Sequence, residues 1–147
     1  MRDGHYFLVC MDDSLMVHEM LRDGFEGTGY RLELIRNVQE LEERVLSQPE
    51  TLSQVDLFVL DFDMPEMTGT QVASVLDQVD PRLQSVPFII FSGRPRQEVE
   101  KAIEEANAYS YNFGRNFRGY LEKQEGAINA LIAKVEELFG PTRGEKR

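Results

Sequence analysis

Five short apolar runs, each followed by a segment with helical spacing, set the limits on what this chain can fold into. The runs are residues 5–11, 30–35, 56–60, 87–91 and 117–122. The first, third and fourth are nearly continuous in apolar residues, as strands buried on both faces are. Residues 30–35 alternate apolar with polar, as a half-covered edge strand does. Between the runs, Ser14 can cap a helix to about Phe25, with Val17, Met20 and Leu21 turned inward. Asn37 followed by Glu40 opens a helix to about Leu46, and Pro49 ends it. Residues 70–79 give the next helix, closed by Asp80-Pro81. From Arg96 onward, Val99, Ala102, Ile103, Ala106, Tyr109 and Phe113 recur at helical spacing, with Gly114 as the predicted stop. Residues 124–139 form a last amphipathic helix. Alternation of this kind predicts an α/β fold: a doubly wound, five-stranded parallel sheet with helices on both faces and right-handed crossovers. A length of 147 residues fits one domain. It is read as 1–140, followed by a short charged tail at 141–147 and no output domain.

Composition removes several function classes. The chain is 41% apolar and 29% charged, which suits an ordinary globular protein. A single cysteine, Cys10, sits in an apolar run, so no disulfide framework exists and a reducing, cytoplasmic setting is expected. Asp12 and Asp13 cut short the first apolar stretch, against a signal peptide. No run approaches the ~18 apolar residues of a membrane span. The net charge of -10 argues against a direct nucleic-acid footprint, which needs a basic stripe.

The residues that end the runs carry the chemistry. Asp12 and Asp13 follow the first run, Asp61 and Asp63 the third, Ser92 the fourth and Lys123 the fifth. In a parallel sheet all of these fall on the carboxyl edge, where open α/β sheets bind ligands. Three carboxylates converging within ~4 Å repel by roughly 4 kcal/mol per pair at an effective dielectric near 20. Hard oxygen ligands at that density suit Mg²⁺, which keeps waters and takes a phosphate oxygen as well. An amine and a hydroxyl beside them suit phosphoryl oxygens. The set therefore points to a metal-assisted phosphoryl site with a carboxylate acceptor. Singly, each residue has a plainer use: acids favour a helix N-terminus, Ser92 can cap a helix, and Lys123 can lie on the surface. Their combination on one edge selects the phosphoryl site.

Four pieces of the chain resemble a known family. They are Met11-Asp12-Asp13-Ser14, Asp61-Phe62-Asp63-Met64-Pro65-Glu66-Met67-Thr68-Gly69, Phe91-Ser92-Gly93 and Gly119-Tyr120-Leu121-Glu122-Lys123. In that order, each at a predicted strand end, they make the chain similar to the receiver domain of two-component response regulators over about residues 4–140. The resemblance implies the flavodoxin-like strand order 2-1-3-4-5, shared with chemotaxis receivers. It implies that Asp61 accepts the phosphoryl group. Asp13 and Asp61 would ligate Mg²⁺ directly, Asp12 through water, and Asp63 through its backbone carbonyl. Lys123, the Ser92 hydroxyl and the Gly93 amide would contact phosphoryl oxygens. Tyr120 would be an aromatic switch that moves inward as Ser92 shifts. Asp63, Gly93 and Arg94 would tune phosphoryl lifetime, with Asp63 and Arg94 pairing across the site mouth. The implied donor is a phosphohistidine on a sensor histidine kinase or histidine phosphotransfer protein. The implied output is binding of a downstream target protein, with a homodimer through the face of the fourth helix, fifth strand and fifth helix as a further use. Beyond its own phosphorylation and dephosphorylation the chain is not expected to be an enzyme.

The chain departs from the family at three places. Gln124 stands where a proline with a cis bond is usual; a cis bond before another residue costs ~3–4 kcal/mol, so trans is expected. Gly93 stands where alanine is usual. Extra residues around 107–117 bring Tyr109, Tyr111, Phe113 and Phe117, expected as packing or as a partner patch. His18-Glu19 is read as a solvated helix face. Two rival functions are a degenerate receiver acting by binding alone and a haloacid-dehalogenase-like phosphohydrolase using Asp61-Phe62-Asp63, Ser92 and Lys123.

Overall fold

The computed structural model describes residues 4–140. Its five strands form one parallel sheet in the order β2-β1-β3-β4-β5. They are β1 (Tyr6–Met11), β2 (Tyr30–Ile35), β3 (Leu57–Leu60), β4 (Phe88–Ser92) and β5 (Phe117–Glu122). The alternation of side chains along each strand divides the core in two. Phe7, Val9, Met11, Phe58, Leu60, Phe88 and Ile90 face one side. Leu8, Cys10, Leu57, Val59, Ile89 and Phe91 face the other. Both sets are buried, which explains why the central strands read as unbroken apolar runs.

The second face is covered by α1 (Leu15–Phe25) and α7 (Ala127–Phe139), through Leu21, Phe25, Ala127, Leu131 and Val135. The first face is covered by α2 (Val38–Leu41), α3 (Pro49–Leu52), α4 (Gly69–Val79), α5 (Arg96–Tyr109) and α6 (Tyr111–Asn116). Ser14, Asn37 and Thr68 cap α1, α2 and α4 with side-chain oxygens, and Gln71 completes a capping box at Thr68. Every described peptide bond is trans, including Lys123-Gln124.

Several helices differ from expectation, each for a local reason. The helix opened by Asn37 becomes one π-helical turn over Glu42–Leu46. Pro49 does not simply end it but begins α3, where a missing N–H costs nothing. Asp80-Pro81 starts a 3₁₀ turn, Pro81–Leu83, capped by the Asp80 carboxylate. The long fourth helix breaks at Ser110, whose hydroxyl caps α6 by accepting from Phe113 N at 3.3 Å, so Gly114 lies inside a helix and stops nothing. The last helix begins at Ala127, after a turn closed by Ala127 N donating to Gln124 O at 2.9 Å. Met20 is 45% exposed rather than inward, and His18 is 6% exposed rather than solvated. The tail at 141–147 lies outside the described residues.

The extra segment is stitched into the core. Phe113 is buried against Phe88, with ring centroids 4.9 Å apart, and stacks on Phe117 at 5.7 Å. Asn116 Nδ2 donates to Gln84 O at 2.9 Å. Tyr109 alone of these described side chains stands in solvent, 91% exposed. β5 also carries a bulge. Phe117 pairs with Phe88 and Tyr120 with Ile90, so three steps on β5 match two on β4. Gly119 sits in that extra step at φ +132°, a conformation open to glycine and strained for other residues. The inserted residue turns Tyr120 into the same core half as Ile90.

Candidate functional site

Three strands deliver the acidic cluster. Asp12 and Asp13 follow β1, Asp61 follows β3, and Lys123 follows β5. The loops are registered by backbone bonds: Asp12 N to Ile35 O at 2.9 Å, Asp61 N to Met11 O at 2.9 Å, and Lys123 N to Ser92 O at 2.7 Å. Carboxylate oxygens of Asp12, Asp13 and Asp61 lie within 4.8 Å of one another. Asp12 and Asp61 are buried, at 3% and 5% exposed, while Asp13 is exposed. Lys123 Nζ bridges the two buried acids, 2.5 Å from Asp12 Oδ2 and 3.1 Å from Asp61 Oδ1.

Burial pushes the Asp61 carboxyl up to about 6, and the Asp12 charge adds to that, while Lys123 and the Asp63 amide pull the other way. For Lys123, burial favours the neutral amine, but the bond to Asp12 and the charges of Asp12 and Asp61 outweigh it and leave the amine raised. Three carboxylates against one ammonium leave the cluster short of positive charge. Asp12 Oδ2 is also buried, with the Lys123 ammonium at 2.5 Å as its neighbour and no well-directed hydrogen bond to fill its remaining capacity. An oxygen-only donor set with more negative charge than its one ammonium balances fits a hard divalent cation such as Mg²⁺ or Mn²⁺.

The rim is built from β4 and the loop after β3. Ser92 is fully buried and its Oγ accepts from Arg94 N at 3.1 Å. A Cβ on Gly93 would meet nothing within 4 Å, so the space beside it is open. Arg94 reaches across to Asp63, with Nε 2.8 Å from Oδ1 and 2.9 Å from Oδ2, and also bonds Glu98 at 3.2 Å. The expected pairing of Asp63 with Arg94 is thus present. Its guanidinium also lies 5.6 Å from the Phe62 ring. Tyr120 is turned in, 7% exposed, with its hydroxyl donating to Arg94 O and lying 3.5 Å from Ser92 O. Its contacts are to backbone carbonyls rather than to the Ser92 hydroxyl.

Two residues at the site carry weight that their sequence positions alone do not show. Gly69 donates to Phe62 O at 2.9 Å, and a Cβ there would stand 2.4 Å from the Asp61 carbonyl. The N-terminus of α4 can close onto the loop after β3 only without a side chain at this point. His18 lies beneath Asp12, with Nε2 2.7 Å from its carbonyl. The available signal was its spacing: positions 18, 21 and 25 share one inward helical stripe.

A family model for the response regulator receiver domain matches residues 8–113. The chain belongs to that family. It is a receiver domain of the two-component type, with a CheY-like fold. The match ends before Tyr120 and Lys123. Among solved structures, the chemotaxis protein CheY4 of Vibrio cholerae is 16% identical, with a TM-score of 0.71 over 92% of this chain and 99% of that one. A CheY-like receiver from Methanospirillum hungatei JF-1 is 17% identical, with a TM-score of 0.68 over 91% and 93%. The Mn²⁺-bound form of the response regulator Rcp1 is 17% identical, with a TM-score of 0.65 over 91% and 93%. No curated protein matches the chain in sequence. No described helix is long and apolar enough to cross a membrane.

Proposed function

We propose that this receiver is a working phosphoacceptor, which takes a phosphoryl group from a phosphohistidine onto Asp61 and so switches a protein-binding surface. The observation that carries this is the convergence of Asp12, Asp13 and Asp61 within 4.8 Å, with Lys123 joined to two of them. Asp12, Asp13, Asp61 and the Asp63 carbonyl would hold Mg²⁺, which when bound supplies the positive charge that phosphoryl oxygens need at an acidic site. The Asp61 carboxylate, ionised at neutral pH, forms the new P–O bond as the P–N bond of the donor imidazole breaks. Lys123 turns from the free carboxylates to a phosphoryl oxygen, joined by the Ser92 hydroxyl and the Gly93 amide. The phosphoryl group carries about −1.5 to −2 charges, and because the Asp61 carboxylate gives up its own charge in the new bond, the net gain is about one negative charge at a place already short of positive charge. That new charge draws Ser92 and Lys123 toward Asp61 and shifts the β4–α5 segment, which Tyr120 senses through the Arg94 carbonyl. Asp63 and Arg94 screen the site mouth and set how fast water removes the group.

The donor in this reading is a sensor histidine kinase or histidine phosphotransfer protein in the cytoplasm, and the reader is a downstream protein or a second copy docked on α5, β5 and α7. The receiver family match leaves the phosphohydrolase reading without support, and the intact acid–lysine cluster weighs against a degenerate receiver. Incubation with acetyl phosphate and Mg²⁺, followed by hydroxylamine, converts an acyl phosphate to a hydroxamate that peptide mapping can place. The hydroxamate is expected on Asp61. Its appearance on another residue, or equal labelling with chelator present, would contradict the reading.

A further inference from the structure

We propose that His18 is a positioning residue for the acidic site, fixing the peptide plane between Asp12 and Asp13 and with it the aim of both carboxylates. The inference rests on the reading of Asp12, Asp13 and Asp61 as the metal-binding set. His18 is one of few buried polar side chains, and its ring lies under the loop that follows β1. Its Nε2 is 2.7 Å from the Asp12 carbonyl oxygen. A carbonyl only accepts, so Nε2 carries the proton and donates.

Asp12 is tied at three other points: its N–H to Ile35 O at 2.9 Å, its Oδ1 by Ser14 N at 2.9 Å, and its Oδ2 by Lys123 at 2.5 Å. The carbonyl is the fourth, and it belongs to the peptide that links the two acids. Helical bonding begins one cap later, with His18 N donating to Ser14 O at 3.1 Å. Among the described residues, no backbone amide is directed at the Asp12 carbonyl. The imidazole is its partner, and an unpaired buried carbonyl is costly. An apolar residue would suit this inward stripe, which His18 shares with Leu21 and Phe25. A histidine pays for its place there only through the bond that it makes. Without that bond the Asp12–Asp13 peptide loses the tie that fixes its plane, and the aim of Asp13 relative to the anchored Asp12 carboxylate loosens. Groups that orient metal ligands from behind typically change affinity by 10–100-fold when removed, as estimated from other sites (about one to two decades).

The test is Mn²⁺ binding to the full chain, read from the electron paramagnetic resonance of the free ion, with urea midpoints recorded beside it. His18→Leu removes the donor. His18→Gln places an N–H three bonds from Cβ, as histidine Nε2 is, and His18→Asn places it one bond short. His18→Leu and His18→Asn are expected to weaken Mn²⁺ binding about tenfold, and His18→Gln to bring it back within about threefold of wild type. If His18→Leu does not fold, the comparison of Gln with Asn carries the test. Wild-type affinity in His18→Leu with only a lower urea midpoint would overturn the inference, and so would a Gln variant no better than Asn. A wild-type chain that binds no Mn²⁺ would instead overturn the metal reading, and this inference with it.

Discussion

Replacing Asp61 with Asn is expected to stabilise the metal-free fold. The Asp61 carboxyl is pushed from 3.8 to about 6, first by burial and then by the Asp12 charge. A carboxyl raised on folding contributes stability that is full below the unfolded value, near pH 3.8, and is lost as pH rises through about 6. The rise from 3.8 to about 6, worth about 1.36 kcal/mol for each tenfold change in proton affinity, gives an upper figure of about 3 kcal/mol for the cost of the ionised group at pH 7. The attraction of Lys123 is already contained in that net shift, and Lys123 keeps Asp12 as a partner in the variant. Asp61→Asn should therefore gain about 1–3 kcal/mol in urea unfolding at pH 7 with EDTA present. The gain should fade as pH is lowered to 4, where wild-type Asp61 is protonated when folded. Saturating Mg²⁺ should narrow the gap at pH 7, because a ligand at 100 times its Kd adds about 2.7 kcal/mol to the form that binds it. A variant no more stable than wild type at pH 7, or a gap unchanged at pH 4, would refute the view that burial and the Asp12 charge strain the ionised Asp61 carboxylate.

Other positions separate site from scaffold. Gly119→Ala forces a side chain into φ +132° beside Lys134 and should cost about 1–3 kcal/mol by urea unfolding; an unchanged midpoint would mean that the bulge relaxes freely. Phe113→Ala should cost about 3–5 kcal/mol because its ring fills the core against Phe88. Tyr109→Ala, at 91% exposed, should leave the urea midpoint in place, and reversed outcomes would misassign the two aromatics. Arg94→Ala should leave stability unchanged but alter the decay of phosphorylated protein, followed by intact mass over time; an unchanged lifetime would remove the Asp63–Arg94 pair from any tuning role.

The sheet was legible because burial on both faces forces unbroken apolar runs, and β2 and β5 match their expected ranges. Helix existence was legible from caps and spacing, but helix continuity was not. Ser110 can continue a helix or cap the next one, and only the core position of Phe113 against Phe88 decides for capping. Pro49 likewise fits both a helix end and a helix start. At the site, the strand-end acids and Lys123 were readable because a parallel sheet gathers strand ends on one edge. The inward histidine was not, since a polar residue on a capped helix suits solvent equally well until its partner is known. Gly69 was in view within its motif, yet its reason, a carbonyl 2.4 Å from where a Cβ would stand, exists only in three dimensions.

The central claim is that Asp61 accepts a phosphoryl group in a cation-dependent site. Intact mass after incubation with acetyl phosphate and Mg²⁺ tests it most directly, with Asp61→Asn and an EDTA control measured in parallel. The account predicts a single phosphoryl adduct on the wild-type chain, absent from the variant and from the chelated sample. An adduct of equal extent on Asp61→Asn, or a folded wild-type chain that binds Mg²⁺ and stays unmodified by both acetyl phosphate and a phosphohistidine donor, would contradict it.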